Sequence, residues 1–176
     1  MGIDLGIIDL SGASKSKNVT ETEKSEIKPM TQTHPMIGRN LRIDSDRLWQ
    51  SLMDMAKIGP GVAGGNNRQA LTDDDSTARH LFHSWCEAEG LKLHTDKMGN
   101  MFARRDGSDA SLPPVMVGSH LDTQPTGGKY DGPLGGLAAL EIIRSMNEAG
   151  LQTRHPIEIV NWTNEEGCRF TPPMMS

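Results

Sequence analysis

Apolar residues recur at helical spacing in three stretches of the chain, separated by short apolar or alternating runs. Leu48, Leu52, Met55 and Ala56 mark one face of a helix that Asp44 or Ser45 can cap and that runs to about residue 57. Ala78, Leu81, Phe82, Trp85 and Cys86 mark a stronger helix over about 73–89. Thr72 can cap it, Asp75 stands near the capping-box position, and Gly90 ends it. Leu137, Leu140, Ile143 and Met146 mark a third helix, opened by Pro133 and closed by Gly150. Residues 91–96 and 100–104 read as two short strands around Met98-Gly99. Residues 114–117 form a short apolar strand ending at Gly118, and 157–162 form another. Strand, helix and strand in the second half predict a βαβ unit with a right-handed crossover, hence an α/β fold. In such sheets functional groups gather beyond the carboxyl ends of the strands. His120 and the pair Glu165-Glu166 both sit just past strand ends, and Asp131 sits in the loop leading to the third helix.

Two segments stand apart from this pattern. Residues 1–40 are polar and rich in Ser, Thr, Lys and Glu, which predicts a disordered leader ahead of organised sequence from 41 onward. Residues 59–65, Gly-Pro-Gly-Val-Ala-Gly-Gly, match the spacing of a dinucleotide-binding glycine loop. The context is wrong for that role. The run follows a helix, not a strand, and Pro60 lacks an N–H that a phosphate would need. It reads as a helix breaker.

Composition narrows the function classes. A chain of 176 residues can bury a real core. Eighteen basic against 23 acidic residues give a net charge of −5, with no basic cluster, which argues against nucleic acid as a partner. No stretch resembles a membrane span. The first ten residues carry Asp4 and Asp9 and no cationic region, unlike a secretory signal. Gly6 stands where a myristoylation signal needs Ser or Thr. Cys86 and Cys168 are too far apart for a metal or redox spacing, so a reduced, cytoplasmic protein is the simple expectation.

The candidate chemistry lies in three segments: Gly118-Ser119-His120-Leu121-Asp122-Thr123, Tyr130-Asp131-Gly132-Pro133 and Thr163-Asn164-Glu165-Glu166-Gly167. Taken singly, each has an ordinary explanation: a structural His-x-Asp, a turn aspartate, a solvated glutamate pair. Together at strand ends they suit divalent metals and a general base. His120 offers an imidazole ligand, and Asp122 is placed to accept the other ring N–H. Asp131, among glycines that permit a tight backbone path, can reach two metals at once. Glu166 adds a ligand, and Glu165, projecting differently, is free to act as base on water. Competing chemistries are thinner. There is no G-x-S-x-G elbow, Ser119 beside His120 is no nucleophile–base pair by adjacency alone, and Cys168 is expected to pack under a strand end. His80 and His83 read as partly exposed helical histidines.

The run from Gly118 to Gly132 (GSHLDTQPTGGKYDG), followed by Asn164-Glu165-Glu166-Gly167-Cys168-Arg169-Phe170, resembles the hydantoinase/carbamoylase family of zinc hydrolases, within the M20 metallopeptidase superfamily. The likeness extends back through Asn100–Arg104 and Ala70–Asp73 to Arg42-Ile43-Asp44, so it covers about 41–176. It implies the N-terminal part of an M20-type catalytic domain, with a mixed sheet flanked by helices, left incomplete. It also implies two divalent metals, zinc foremost, with manganese, cobalt or nickel as substitutes. His120 would bind one metal, Asp131 would bridge both, and Glu166 would bind the other. Glu165 would be the general base and Asp122 would orient His120. The implied activity is hydrolysis of linear carbamoyl or ureido C–N bonds, as in N-carbamoyl-L-amino acids or 3-ureidopropionate. The Gln124–Lys129 stretch is more like the carbamoylase and β-ureidopropionase members than the allantoate branch; an aminoacylase or dipeptidase is the alternative within the superfamily. Family members are longer, and add two histidine ligands, a substrate-carboxylate arginine and a dimerisation domain that makes them homodimers. His155, at the opposite end of its strand, is no substitute ligand. If the chain ends here, weak metal affinity, little activity and an unfinished sheet edge are expected, down to a non-catalytic relic.

Overall fold

A computed structural model of the protein describes residues 40–173; the leader expected over 1–40 lies, but for Asn40, outside them. The elements follow the order α1 (Ser45–Met55), α2 (Asp73–Ala88), β1 (Lys92–Thr95), β2 (Met101–Arg105), β3 (Val115–His120), α3 (Pro133–Glu148) and β4 (Ile157–Trp162), with one 3-10 turn at Val62–Gly64. The caps are those that the side chains allow. Asp44 accepts from the N–H groups of Asp46 and Arg47, and the Thr72 hydroxyl accepts from the Asp75 N–H. Asp75 does not complete a capping box. Its carboxylate takes the Leu71 N–H, one residue earlier.

The four strands form one sheet in the order β1-β2-β4-β3. β1 with β2 and β2 with β4 are antiparallel, whereas β3 and β4 are parallel, so the sheet is mixed. β3 and β4 are neighbours joined through α3, the βαβ unit expected from the sequence. The β3 strand runs beyond Gly118 because the parallel register continues through Ser119–Asn161 to His120–Trp162. His120 is therefore fixed as the last residue of a strand. Among the described residues β3 is an edge, and Val115, Met116 and Val117 on it are exposed. The core lies where the three helices meet the sheet. Leu52 and Met55 of α1, Phe82 and Cys86 of α2 and Leu140 and Ile143 of α3 close on Met101, Ala103 and Ile159.

One ion pair ties α1 to α3 through the protein interior. Glu141, fully buried on α3, receives Arg47 Nε at 2.9 Å, Arg47 Nη2 at 2.7 Å and the Asp44 N–H at 3.0 Å. Burial alone would push the Glu141 carboxyl up; the Arg47 guanidinium and the Asp44 N–H outweigh it and hold the group below its ordinary value. A depressed carboxyl contributes stability at pH above its unfolded-state value, and that stability is lost as pH falls through the folded-state value. Arg47→Met should leave the buried carboxylate with only the longer contact to Arg144 Nη1, 3.8 Å away. We expect a loss of about 3 kcal/mol at pH 7, at the low end for a broken buried pair because Arg47 is itself partly exposed. The loss should shrink as acid protonates Glu141 in both proteins. Urea unfolding at pH 7 and pH 4 checks this, and an equal loss at both would contradict it.

Candidate metal centre

The carboxyl ends of β3 and β4 carry the candidate groups, and parallel pairing sets them side by side. His120 closes β3 and is buried. Its Nδ1 lies 2.8 Å from the Asp122 backbone oxygen. A carbonyl can only accept, so Nδ1 carries the proton and Nε2 presents its lone pair. The Asp122 carboxylate stands off at 3.8 Å from Nδ1. The contact expected between that carboxylate and the ring is thus made by the main chain of the same residue.

The carboxylate is engaged elsewhere. The N–H groups of Glu165 and Glu166 both donate to it at 3.3 Å, one to each oxygen. Asp122 therefore joins the turn after β3 to the turn after β4. Burial pushes its carboxyl up, and the nearby His120 ring and the two N–H donors offset only part of that rise. The turn after β4 is held from its far side as well. Asn100 Oδ1 accepts the Thr163 N–H at 2.9 Å, and Arg79 donates to the Thr163 hydroxyl at 3.0 Å and to the Gly99 carbonyl at 2.8 Å. Asn164, in left-handed backbone at φ 57°, sends its amide to the Phe170 carbonyl at 2.9 Å. Asparagine tolerates that conformation better than most side chains, and it turns the chain sharply into Glu165-Glu166.

His120, Asp131 and Glu166 converge, with one ligand atom from each lying within 4.8 Å of the others. Glu165 Oε2 is 3.3 Å from His120 Nε2, and Glu166 Oε2 accepts from Gln124 Nε2 at 2.9 Å. Asp131 reaches the cluster from the loop before α3. Gly132, which follows it, has φ +80°, and a Cβ there would lie 2.5 Å from the His120 ring and 2.6 Å from its Nδ1. The donor set suits a divalent metal: an imidazole nitrogen and two carboxylates. The part-exposed Glu165 carboxylate beside them faces solvent, as a base acting on water must.

Other sequence candidates lie elsewhere. Cys168 is exposed and does not pack under the strand end, because the turn at Gly167, φ +62°, carries it outward. His80 is exposed and His83 half-buried on α2, as helical histidines off the site should be. His155 Nδ1 donates to the Pro113 carbonyl, 2.9 Å away at the opposite end of the sheet. Arg68, Arg79, Asn100 and Gln124, which the sequence reading did not single out, all help to hold the site loops. Only Asn100, between Gly99 and the first residue of β2, carries a local signal; Arg68, Arg79 and Gln124 carry none.

Residues 116–175 match the profile of Peptidase family M20/M25/M40. An N-carbamoyl-L-amino-acid amidohydrolase from Rhizobium meliloti is 63% identical over 139 residues, covering 79% of this chain and 33% of that protein. The crystal structure of a hydantoinase/carbamoylase family amidase from Burkholderia ambifaria superposes with a TM-score of 0.74 at 57% identity, over 76% of this chain and 33% of that one. A ureidoglycolate hydrolase from Oryza sativa is 37% identical over 128 residues, 73% of this chain and 26% of that protein. The chain thus spans about a third of the length of the relatives it matches.

Proposed function

We infer, for a chain that belongs to the hydantoinase/carbamoylase amidases of the M20 superfamily, that it supplies the metal and water side of a hydrolase for linear carbamoyl C–N bonds. The observation that carries this is the convergence of His120, Asp131 and Glu166 with Glu165 against the His120 ring. In this reading His120, Asp131 and Glu166 would hold divalent metal, zinc first, with Asp131 as the ligand common to a pair of ions. When bound, such ions polarise the substrate carbonyl and make water nucleophilic near neutral pH. Glu165 takes a proton from the attacking water and delivers one to the departing nitrogen. Asp122 keeps the ring in the tautomer with Nε2 free and fixes both glutamates by their N–H groups. Attack on an N-carbamoyl amino acid breaks the bond between the carbamoyl carbon and the amino nitrogen. The amino acid leaves with the proton, and the carbamate that remains yields carbon dioxide and ammonia. Residues 41–176 belong, in this reading, to the catalytic domain of a homodimeric protein.

The Gln124–Lys129 stretch and the 63% identity to a carbamoyl-amino-acid amidohydrolase favour that substrate class. The likeness to a ureidoglycolate hydrolase supports a ureido acid as the second reading. Ammonia release by zinc-loaded protein separates them. Release from N-carbamoyl-L-amino acids in excess over ureidoglycolate, with no cleavage of dipeptides, is expected. Faster release from ureidoglycolate would transfer the assignment, and cleavage of dipeptides alone would overturn it.

A further inference from the structure

The glycine-rich run and the arginine that follows it take no part in the reaction as described. We propose that residues 65–68, led by Arg68, are positioning residues for the metal centre, which set the path of the loop after β3, whose Asp122 carbonyl holds the His120 ring. This rests on the metal-centre reading.

Arg68 is wholly buried. Its Nε donates to the Leu121 carbonyl at 2.8 Å, and its Nη1 donates to the carbonyls of Ile58 at 2.7 Å and Met55 at 3.2 Å. Leu121 lies between His120 and Asp122. Met55 is the last residue of α1 and Ile58 lies in the turn that follows it; carbonyls at a helix C-terminus carry partial negative charge. One planar side chain therefore joins the end of a helix to the backbone of the metal loop. The main chain repeats the contact. The Arg68 N–H donates to the Thr123 hydroxyl at 2.8 Å, and the Thr123 N–H donates to the Arg68 carbonyl at 2.8 Å.

The glycines make this approach possible. Asn66 and Gly127 exchange two backbone hydrogen bonds, of 2.9 and 3.0 Å. A Cβ on Gly65 would lie 2.3 Å from the Gly127 oxygen. Asn66, wholly buried, donates its amide to the carbonyls of Ala56, Ile58 and Gly59, each at 3.0 Å. The run that resembled a phosphate loop is a short strap, pinned to α1 on one side and to the loop of His120 on the other.

Burying a guanidinium is costly. Among the described residues no carboxylate forms an ion pair with Arg68, and Nη2 has no partner. A lysine ammonium at this place keeps the charge but cannot span the two separated sets of carbonyls that the fork reaches. The hydrogen bonds to three carbonyls offset part of that cost and fix the Leu121 carbonyl relative to the end of α1.

The test uses the 176-residue chain with Zn²⁺ alone as probe. Arg68→Lys should weaken Zn²⁺ binding by about tenfold or more, the usual consequence of disturbing groups that orient a ligand. It should also shift the ring ¹⁵N resonances of His120 in the metal-free chain. Gly65→Ala should produce the same two changes with Arg68 intact, and it decides the matter if the lysine variant does not fold. Gly64→Asn is the control. Its backbone is left-handed, which asparagine tolerates, and nothing lies within 4 Å of its Cβ position. A folded Arg68→Lys protein with a lowered melting temperature, but with unchanged His120 resonances and Zn²⁺ affinity, would overturn the proposal and leave Arg68 a helix cap. If the unaltered chain takes up no Zn²⁺, the metal-centre reading fails, and the His120 resonances still decide whether Arg68 sets the ring.

Discussion

Glu165→Gln should lower kcat by about 10²- to 10⁴-fold, the range of a positioned general base, and leave bound zinc unchanged. The substitution keeps size and shape and removes the capacity to hold a proton. It leaves the main chain in place, because the Glu165 N–H and not its side chain meets Asp122. Glu165 also stands outside the group formed by His120, Asp131 and Glu166. His120→Ala should do the opposite first: it removes the one nitrogen of that group, and metal content should fall before any question of turnover arises. Metal analysis of both variants, with ammonia release from an N-carbamoyl-L-amino acid, makes the comparison. Equal metal loss in the two would mean that Glu165 is a ligand and that the roles of the paired glutamates are misassigned.

How far the sequence anticipated this arrangement depends on the range of the interactions. α3 and β4 were legible because their signals are local: Pro133 opens a helix with a regular apolar face, and Ile157, Ile159, Val160 and Trp162 mark a short strand rich in β-branched and aromatic residues. β3 was read short. Gly118 looks like a strand end, yet a Cβ there would stand 2.0 Å from the Val160 oxygen, so the glycine keeps the parallel pair close and the strand continues to His120. Asp122 was legible as a partner of His120 by its spacing of two. Its carboxylate instead serves two N–H groups after β4, a relation that only the folded sheet creates. Arg68 and Asn66 were illegible for the same reason. Nothing adjacent in sequence marks an arginine as buried when its partners are carbonyls on α1 and in the loop after β3. The glycine run at 59–65 ends in a backbone pairing of Asn66 with Gly127, a long-range contact that has no local mark.

The steric demand on Gly132 leads to the second large effect. Gly132→Ala should cost more than an alanine usually does, and the cost should fall on the metal centre. The residue has φ +80°, where an L side chain is strained by about 1–2 kcal/mol before any contact is counted. The added carbon would then meet the His120 ring at 2.5 Å and the His120 carbonyl oxygen at 2.6 Å. Neither can easily retreat. The ring is held through Nδ1 by the Asp122 carbonyl, and the carbonyl belongs to the last residue of a paired strand. Relief must come from the 131–132 backbone, which carries Asp131 away from His120 and Glu166 and loosens the start of α3 at Pro133. We expect Zn²⁺ affinity to fall at least about tenfold, with a lowered melting temperature in the metal-free protein. Gly128→Ala, four residues earlier in the same loop with open space at its Cβ, should change neither. Isothermal titration with Zn²⁺ and thermal melts of the two variants provide the comparison. Parent-like zinc binding in a folded Gly132→Ala protein would mean that Asp131 does not depend on this turn, and that the convergence of the three ligands tolerates a displaced loop.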